Sequence, residues 1–217
     1  MFLIFRNQPQ AFETWTAEER QHVRARRLSA GQPIYCGDGK QRRYQGVVAE
    51  NGAQIDLQSF EERIETRRVL LCAVPEGQRR DWLLQKCTEL GLTDLVPIEF
   101  EHSERSDFGK RADRIIQEAA AQSRRFALPI IHPAQRLDLA IAWAQQQGLA
   151  PLVLDPGARE SLKPDSDATS YCFVVGPEGG ISKAEIEMLR DLPTYHLGQN
   201  ILRIETAAIA ALAVSLK

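Results

Sequence analysis

The chain has 217 residues, enough for one large domain or for a small and a medium one with a real core. Its 43% apolar and 26% charged residues are ordinary for a globular protein, and a formal net charge of -2 excludes a global basic field, so a nucleic-acid partner would have to be met by local charge. Cys36, Cys72, Cys87 and Cys172 form no C-x-x-C and lie at no zinc-ligand spacing from a histidine, which leaves buried free thiols, a reducing compartment and no metal as the expectation.

The opening "MFLIFRNQPQ" has too short an apolar run for a signal peptide, and no window reaches the length of a membrane span; the expected location is cytoplasmic, with no membrane partner. The first third then reads as β. "QPIYCGDG", "RRYQGVVAE" and "AQIDLQSF" are short β-favouring runs broken at Asp38-Gly39 and Asn51-Gly52, two hairpin signals, and together they suggest a small barrel. "EERIETRR", Glu61 to Arg68, reads as a charged bridge.

From Val69 the rhythm changes. "VLLCAVP" is a continuous apolar strand, and "QRRDWLLQKCTELG" a helix with Leu83, Cys87 and Leu90 on one face that ends at Gly91. "LVPIEF" is a strand. "KRADRIIQEAAAQSRR" is a helix with Ile115, Ile116, Ala119 and Ser123 inward. "LPIIHP", "APLVLDP", "YCFVVGP" and "PTYHLG" are further strands, and "LDLAIAWAQQQG" a further helix. Apolar strands alternating with amphipathic helices predict an α/β fold with a parallel sheet covered on both faces.

Ligands of such a sheet bind at the carboxyl ends of its strands. Gly176 marks one such end in "FVVGPEGGIS", where Ser182 and Glu185 have the spacing of a capping box. This strand, glycine loop and capped helix read either as a cofactor cradle or as a tight βα turn with no ligand; neither G-x-G-x-x-G nor a P-loop is present. In "LGQNILRIETAA", Leu197-Gly198 closes a strand and a helix begins around Arg203 to Thr206. A helix N-terminus is unfavourable for Arg203, so it needs a reason to be there: a pair with Glu178 or Glu205, or an anionic ligand.

These two stretches, taken together at this spacing, resemble the carboxyl-terminal motifs of the RsmE-type enzymes, bacterial small-subunit ribosomal RNA uridine N3-methyltransferases of the SPOUT superfamily. "DWLLQKCTELGL", "ERS" (Glu104 to Ser106), "KRADRIIQEAAAQSRRFALPII" and "QHVRARRLSAGQPIYCGDG" are similar to further motifs of that family. The resemblance implies a PUA-like β-barrel over residues 1–66 that binds RNA and a SPOUT α/β domain over 67–217 with a deep trefoil knot. It also implies a homodimer and the cofactor S-adenosylmethionine (SAM), bent between the two loops and held by main chain, with the loop after "PLVLDP" as a third wall.

The residues so implied for the cofactor are Leu154, Val175, Gly176, Pro177, Gly179, Gly180, Leu197, Gly198, Ile201, Leu202 and Thr206. Arg203 is the implied stabiliser of charge on the uracil, and Glu205 or Glu178 orients it or accepts the proton. Residues 20–43 hold seven basic residues against Asp38, a local excess of six, which is either a solvated face or an RNA surface. The resemblance favours RNA and implies contacts from Arg24, Arg26, Arg27, Arg42 and Arg43, with Arg105 and Arg124 extending the track. His22, His102, His132 and His196 read as solvated or structural. The expected partner is 16S rRNA or the small ribosomal subunit. The alternatives are a ribose 2′-O-methyltransferase of the same superfamily and a non-catalytic RNA-binding or assembly protein.

Overall fold

The computed structural model describes residues 2–63, 65–103, 107–165 and 167–216. The "ERS" motif and Arg105 lie outside the described residues. Two compact units emerge: Met1–Glu65 with Ala120–Leu128, and Thr66–Ala119 with Pro129–Lys217.

The first unit holds β1 (Leu3–Phe5), β2 (Phe12–Thr14), α1 (Ala17–Ala25), β3 (Pro33–Gly37), β4 (Arg42–Ala49) and β5 (Gly52–Glu62). They form a five-stranded sheet in the order β1-β3-β4-β5-β2, antiparallel except for β1 beside β3. Alternation places Ile34, Cys36, Val48, Ala53 and Ile55 on one face, where they pack with Phe2, Ile4 and Trp15. The Asp38 carboxylate builds the β3–β4 turn by accepting from the amides of Lys40, Gln41 and Arg42 at 2.8–3.0 Å. Arg6, just past β1, donates to Glu13 in β2 at 2.9 Å and to Glu19 in α1 at 2.8 Å, so one guanidinium ties the two edge strands together. The 120–128 segment joins this unit through Arg125, which pairs with Glu65, and through the Leu128 amide, which donates to the Gly39 carbonyl at 2.8 Å. The ends of the charged bridge read from the sequence belong to strands, with Glu61 and Glu62 ending β5 and Arg67 and Arg68 opening the next strand.

The second unit holds β6 (Arg67–Cys72), α2 (Gln78–Glu89), β7 (Asp94–Glu99), most of α3 (Ala112–Ser123), β8 (Ile130–Ile131), β9 (Gln135–Arg136) and α4 (Leu137–Gln146). It continues with β10 (Pro151–Leu154), β11 (Glu160–Ser161), β12 (Ser170–Val175), α5 (Lys183–Leu189), β13 (Thr194–His196) and α6 (Ile204–Val214). The strand order is β11-β13-β10-β12-β6-β7-β8, with β9 also on β7, and every pairing is parallel. Beyond their first residues β6 and β12 are buried throughout, as strands covered on both faces must be, which is why they read as unbroken apolar runs. The far end of α6 is pinned by the buried Arg68, which donates to the Ser215 hydroxyl at 2.9 Å and to its carbonyl at 3.0 Å.

All four cysteines are buried free thiols; burial pushes Cys36, Cys72 and Cys172 up to about 12. Among the described residues no helix is long and apolar enough to cross a membrane.

Candidate active site

At the carboxyl ends of β10, β12 and β13, three adjacent strands, a cavity of about 400 Å³ opens in the second unit. Its walls are three loops. The first is Asp155-Pro156 after β10, where the Gly157 amide donates to the Asp155 carboxylate at 2.7 Å. The second is the glycine loop after β12, and the third runs from Leu197 to Leu202 after β13. Of the residues implied for the cofactor, Leu154, Val175, Gly176, Pro177, Gly180, Leu197, Gly198, Ile201 and Leu202 line the cavity, while Gly179 and Thr206 are not among its lining residues. Asp155, Pro156, Glu178, Ile181, Ile186, Asn200, Ile204 and Ala207 complete it. Ile204 and Ala207 rather than Thr206 face it because they stand three apart on one side of α6.

The glycines serve different ends. Gly198 lies at φ +153°, and a Cβ there would meet no atom of the described residues within 4 Å, so its missing side chain leaves open space at the wall. Gly179 serves packing. A Cβ there would sit 2.9 Å from the His102 Cβ, so the loop after β7 can pack onto the glycine loop only because residue 179 has no side chain. His102 Nδ1–H donates to the Gly180 carbonyl at 3.0 Å in the same contact. Glu185 then locks the two loops together. Its buried carboxylate accepts from the Ser182 amide, as the capping box predicts, and from the Glu101 amide, both at 2.8 Å. Nothing near residue 185 in the sequence announces the second bond.

Charge gathers at one side of the cavity. Arg203 is the N-cap of α6, makes no capping hydrogen bond, and holds its Nη1 3.8 Å from Glu178 Oε1 with 66% of its side chain exposed. Glu178 also pairs with Arg79 from the first turn of α2, a residue that no sequence motif singles out. Glu205, in the first turn of α6, is only 5% exposed, and its Oε2 has no hydrogen-bond partner among the described residues. Arg203 and Glu205 therefore sit in unlike surroundings, one in water and one in the core.

Of the histidines, His22 is exposed on α1, and His102 and His196 hold loop backbone. His132 rests on Asp94 at 2.9 Å. Among the described residues no three His, Cys, Asp or Glu gather as a metal site.

The basic residues of the first unit divide. Arg43 pairs with Glu61 and stacks on Tyr35 and Phe126 at 4.4 and 4.3 Å, and Arg42 pairs with Glu62 at 3.6 Å and lies 4.7 Å from the Phe60 ring. Arg24 and Arg27 are exposed in and after α1; Arg26, also exposed, stands 6.0 Å over the Phe2 ring. Arg124 is exposed at φ +60°.

A family model for the RNA methyltransferase domain matches residues 62–216. The chain belongs to this family. Two curated members are similar over most of their length: ribosomal RNA small subunit methyltransferase E of Bacillus subtilis, 28% identical over 91% of this chain and 87% of the relative, and its namesake from Mycobacterium bovis, 27% identical over 86% and 79%. The crystal structure of a ribosomal RNA small subunit methyltransferase E from Neisseria gonorrhoeae bound to SAM superposes with a TM-score of 0.83 at 25% identity, covering 98% of this chain and 95% of that one. The likeness to the RsmE-type family drawn from the motifs thus holds along the whole fold.

Proposed function

We propose that the chain is a SAM-dependent methyltransferase that acts on uridine N3 of 16S rRNA. The observation that carries the reading is the cavity at three strand ends, walled by apolar side chains and by glycine loops, in a chain whose relatives are named for rRNA methylation and whose structural counterpart was solved with SAM. The residues fit this cofactor. Leu154, Val175, Leu197 and Leu202 offer an apolar bed for a purine, Gly176 and Gly180 bring main chain to its edge, and the open space at Gly198 admits a ligand against the backbone. Bound SAM supplies an electrophilic methyl group on a sulfonium.

The chain's own residues supply the rest. The three loops fix the reacting partners in line and keep water out. Uridine N3 is a poor nucleophile while protonated. Arg203 stabilises the charge that develops on the uracil carbonyls. Glu205, whose Oε2 lacks a donor among the described residues, orients Arg203 or accepts the proton.

The first unit, with a boundary near residue 66, is a PUA-like barrel that holds RNA; the exposed arginines of the α1 end support this, and Arg124 adds to it. The second is a SPOUT domain with a deep trefoil knot, a rare exception to chain topology, and the meeting of the 176–180 and 197–202 loops around one cavity supports it. The enzyme works as a cytoplasmic homodimer. The nearly all-apolar α6 supports the dimer, since a helix of that kind needs cover on several sides. Nucleoside mass spectrometry of rRNA from a deletion strain, with and without the restored gene, tests the assignment. Loss of 3-methyluridine is expected, loss of a ribose-methylated nucleoside would transfer the chain to 2′-O-methylation, and unchanged rRNA would leave RNA binding without catalysis.

A further inference from the structure

Glu178 is the shared anion of two arginines that both stand where a helix dipole disfavours them, Arg79 in the first turn of α2 and Arg203 at the N-cap of α6. Both address the same oxygen, Oε1, and Glu178 itself lines the cavity. The two pairs are unequal. Arg79 makes a direct hydrogen bond and is 25% exposed, whereas Arg203 at 3.8 Å is beyond hydrogen-bond reach and 66% exposed. One carboxylate cannot neutralise two guanidiniums, so the trio keeps a net positive charge, and the uncompensated share falls on Arg203.

We infer that Arg79 is a positioning residue: by occupying Glu178 it leaves the Arg203 guanidinium free to face an anionic group of the substrate beside the cavity. The inference rests on the methyltransferase reading for what that substrate is. Without Arg79, Glu178 has Arg203 as its remaining partner of the trio and engages the guanidinium that would otherwise face the substrate. Glu178 is then a hub of charge rather than a proton acceptor.

The test uses the full chain with Arg79→Met, alone and combined with Glu178→Gln. Arg79→Met should lower kcat on rRNA and leave the KM for SAM in place. The double variant should recover to the level of Glu178→Gln alone, because the competing anion is gone. Losses that simply add would show that Arg79 braces the fold or touches RNA directly, and would overturn the inference. Labelling of Arg203 by phenylglyoxal, read by peptide mass spectrometry, follows the same pairing without turnover. Its rate should fall about two- to fivefold in Arg79→Met, the population change that an exposed ion pair carries, and recover in the double variant. An unchanged labelling rate overturns the inference. The expected labelling pattern in a chain that methylates no RNA would support the pairing and remove the functional reading instead.

Discussion

Arg203→Ser separates catalysis from stability, because the first should fall and the second should not. Residue 203 is the N-cap of α6, with φ -70° and ψ 160°, the extended geometry from which a serine hydroxyl reaches the first free amides of a helix. The arginine makes no such bond. Serine should therefore add about 1 kcal/mol of capping. Against this stands the lost pair with Glu178, which at 3.8 Å and with 66% of the arginine side chain exposed is worth about 0.2–1 kcal/mol at most. The net is between zero and a gain near 1 kcal/mol, which for a chain of this size raises Tm by about 2–4 °C or leaves it in place. If Arg203 stabilises charge on the uracil, kcat should fall by about 10²-fold or more in the same protein. Differential scanning fluorimetry gives the first quantity and transfer of labelled methyl from SAM to rRNA the second. A variant with normal turnover would remove Arg203 from the reaction. A Tm lowered by several degrees together with lost activity would show that the arginine holds α6 in place, and the charge argument would fail.

Gly198→Val should abolish SAM binding in calorimetry while circular dichroism stays native, since the added side chain enters open space at the cavity wall and its strained φ costs only about 1–3 kcal/mol; unchanged affinity would move the cofactor elsewhere. Replacing Arg24, Arg26 and Arg27 with alanine should weaken RNA binding and flatten the plot of log K against log salt by about 0.7–0.9 for each phosphate no longer neutralised, with SAM affinity unaltered. Acid should weaken the Arg6 clasp. Burial pushes the Glu19 carboxyl up, but hydrogen bonds from Arg6 and from Thr16 outweigh it and hold the group below its ordinary 4.5. Its contribution is thus complete above that value and lost as pH falls through the lower folded one, so urea titrations at descending pH should show a loss of stability that Arg6→Met diminishes.

What the sequence disclosed follows from how local each signal is. The central strands β6 and β12 are buried beyond their first residues, so their apolar runs stand out, and Gly176 after β12 and Gly198 after β13 stand at the end of the sheet where the cavity opens. The α5 cap was legible because both of its partners lie within four residues. Helix α1 has no fully buried residue and so shows no apolar stripe in the sequence, where the Thr16–Glu19 capping box is its one local signal. That His102 rests on Gly179 has no local signal, because the two residues lie far apart in the chain. The 120–128 segment read as the end of a catalytic-domain helix, yet it packs with the first unit through Arg125 and Glu65, a pairing that no periodicity reports.

The basic stretch shows why charge counted along a chain differs from charge on a surface. Residues 20–43 hold an excess of six, but the β4–β5 register sets Arg42 opposite Glu62 and Arg43 opposite Glu61, carboxylates outside the counted window. Arg43 is further enclosed by Tyr35 and Phe126, which keeps its side chain 15% exposed. A phosphate approaching these two residues would have to compete with a carboxylate already in place. At α1 no such competition exists: among the described residues, Arg20, Arg24 and Arg27 have no ion pair, and Arg20 and Arg24 stand one helical turn apart on a helix with no fully buried residue. If RNA is held by the first unit, the salt dependence should therefore reside in α1 and its end. Arg42→Ala and Arg43→Ala should alter stability more than they alter the salt slope, and a slope that instead fell by one whole phosphate for each of them would show that the Glu61 and Glu62 pairs open to admit the RNA backbone.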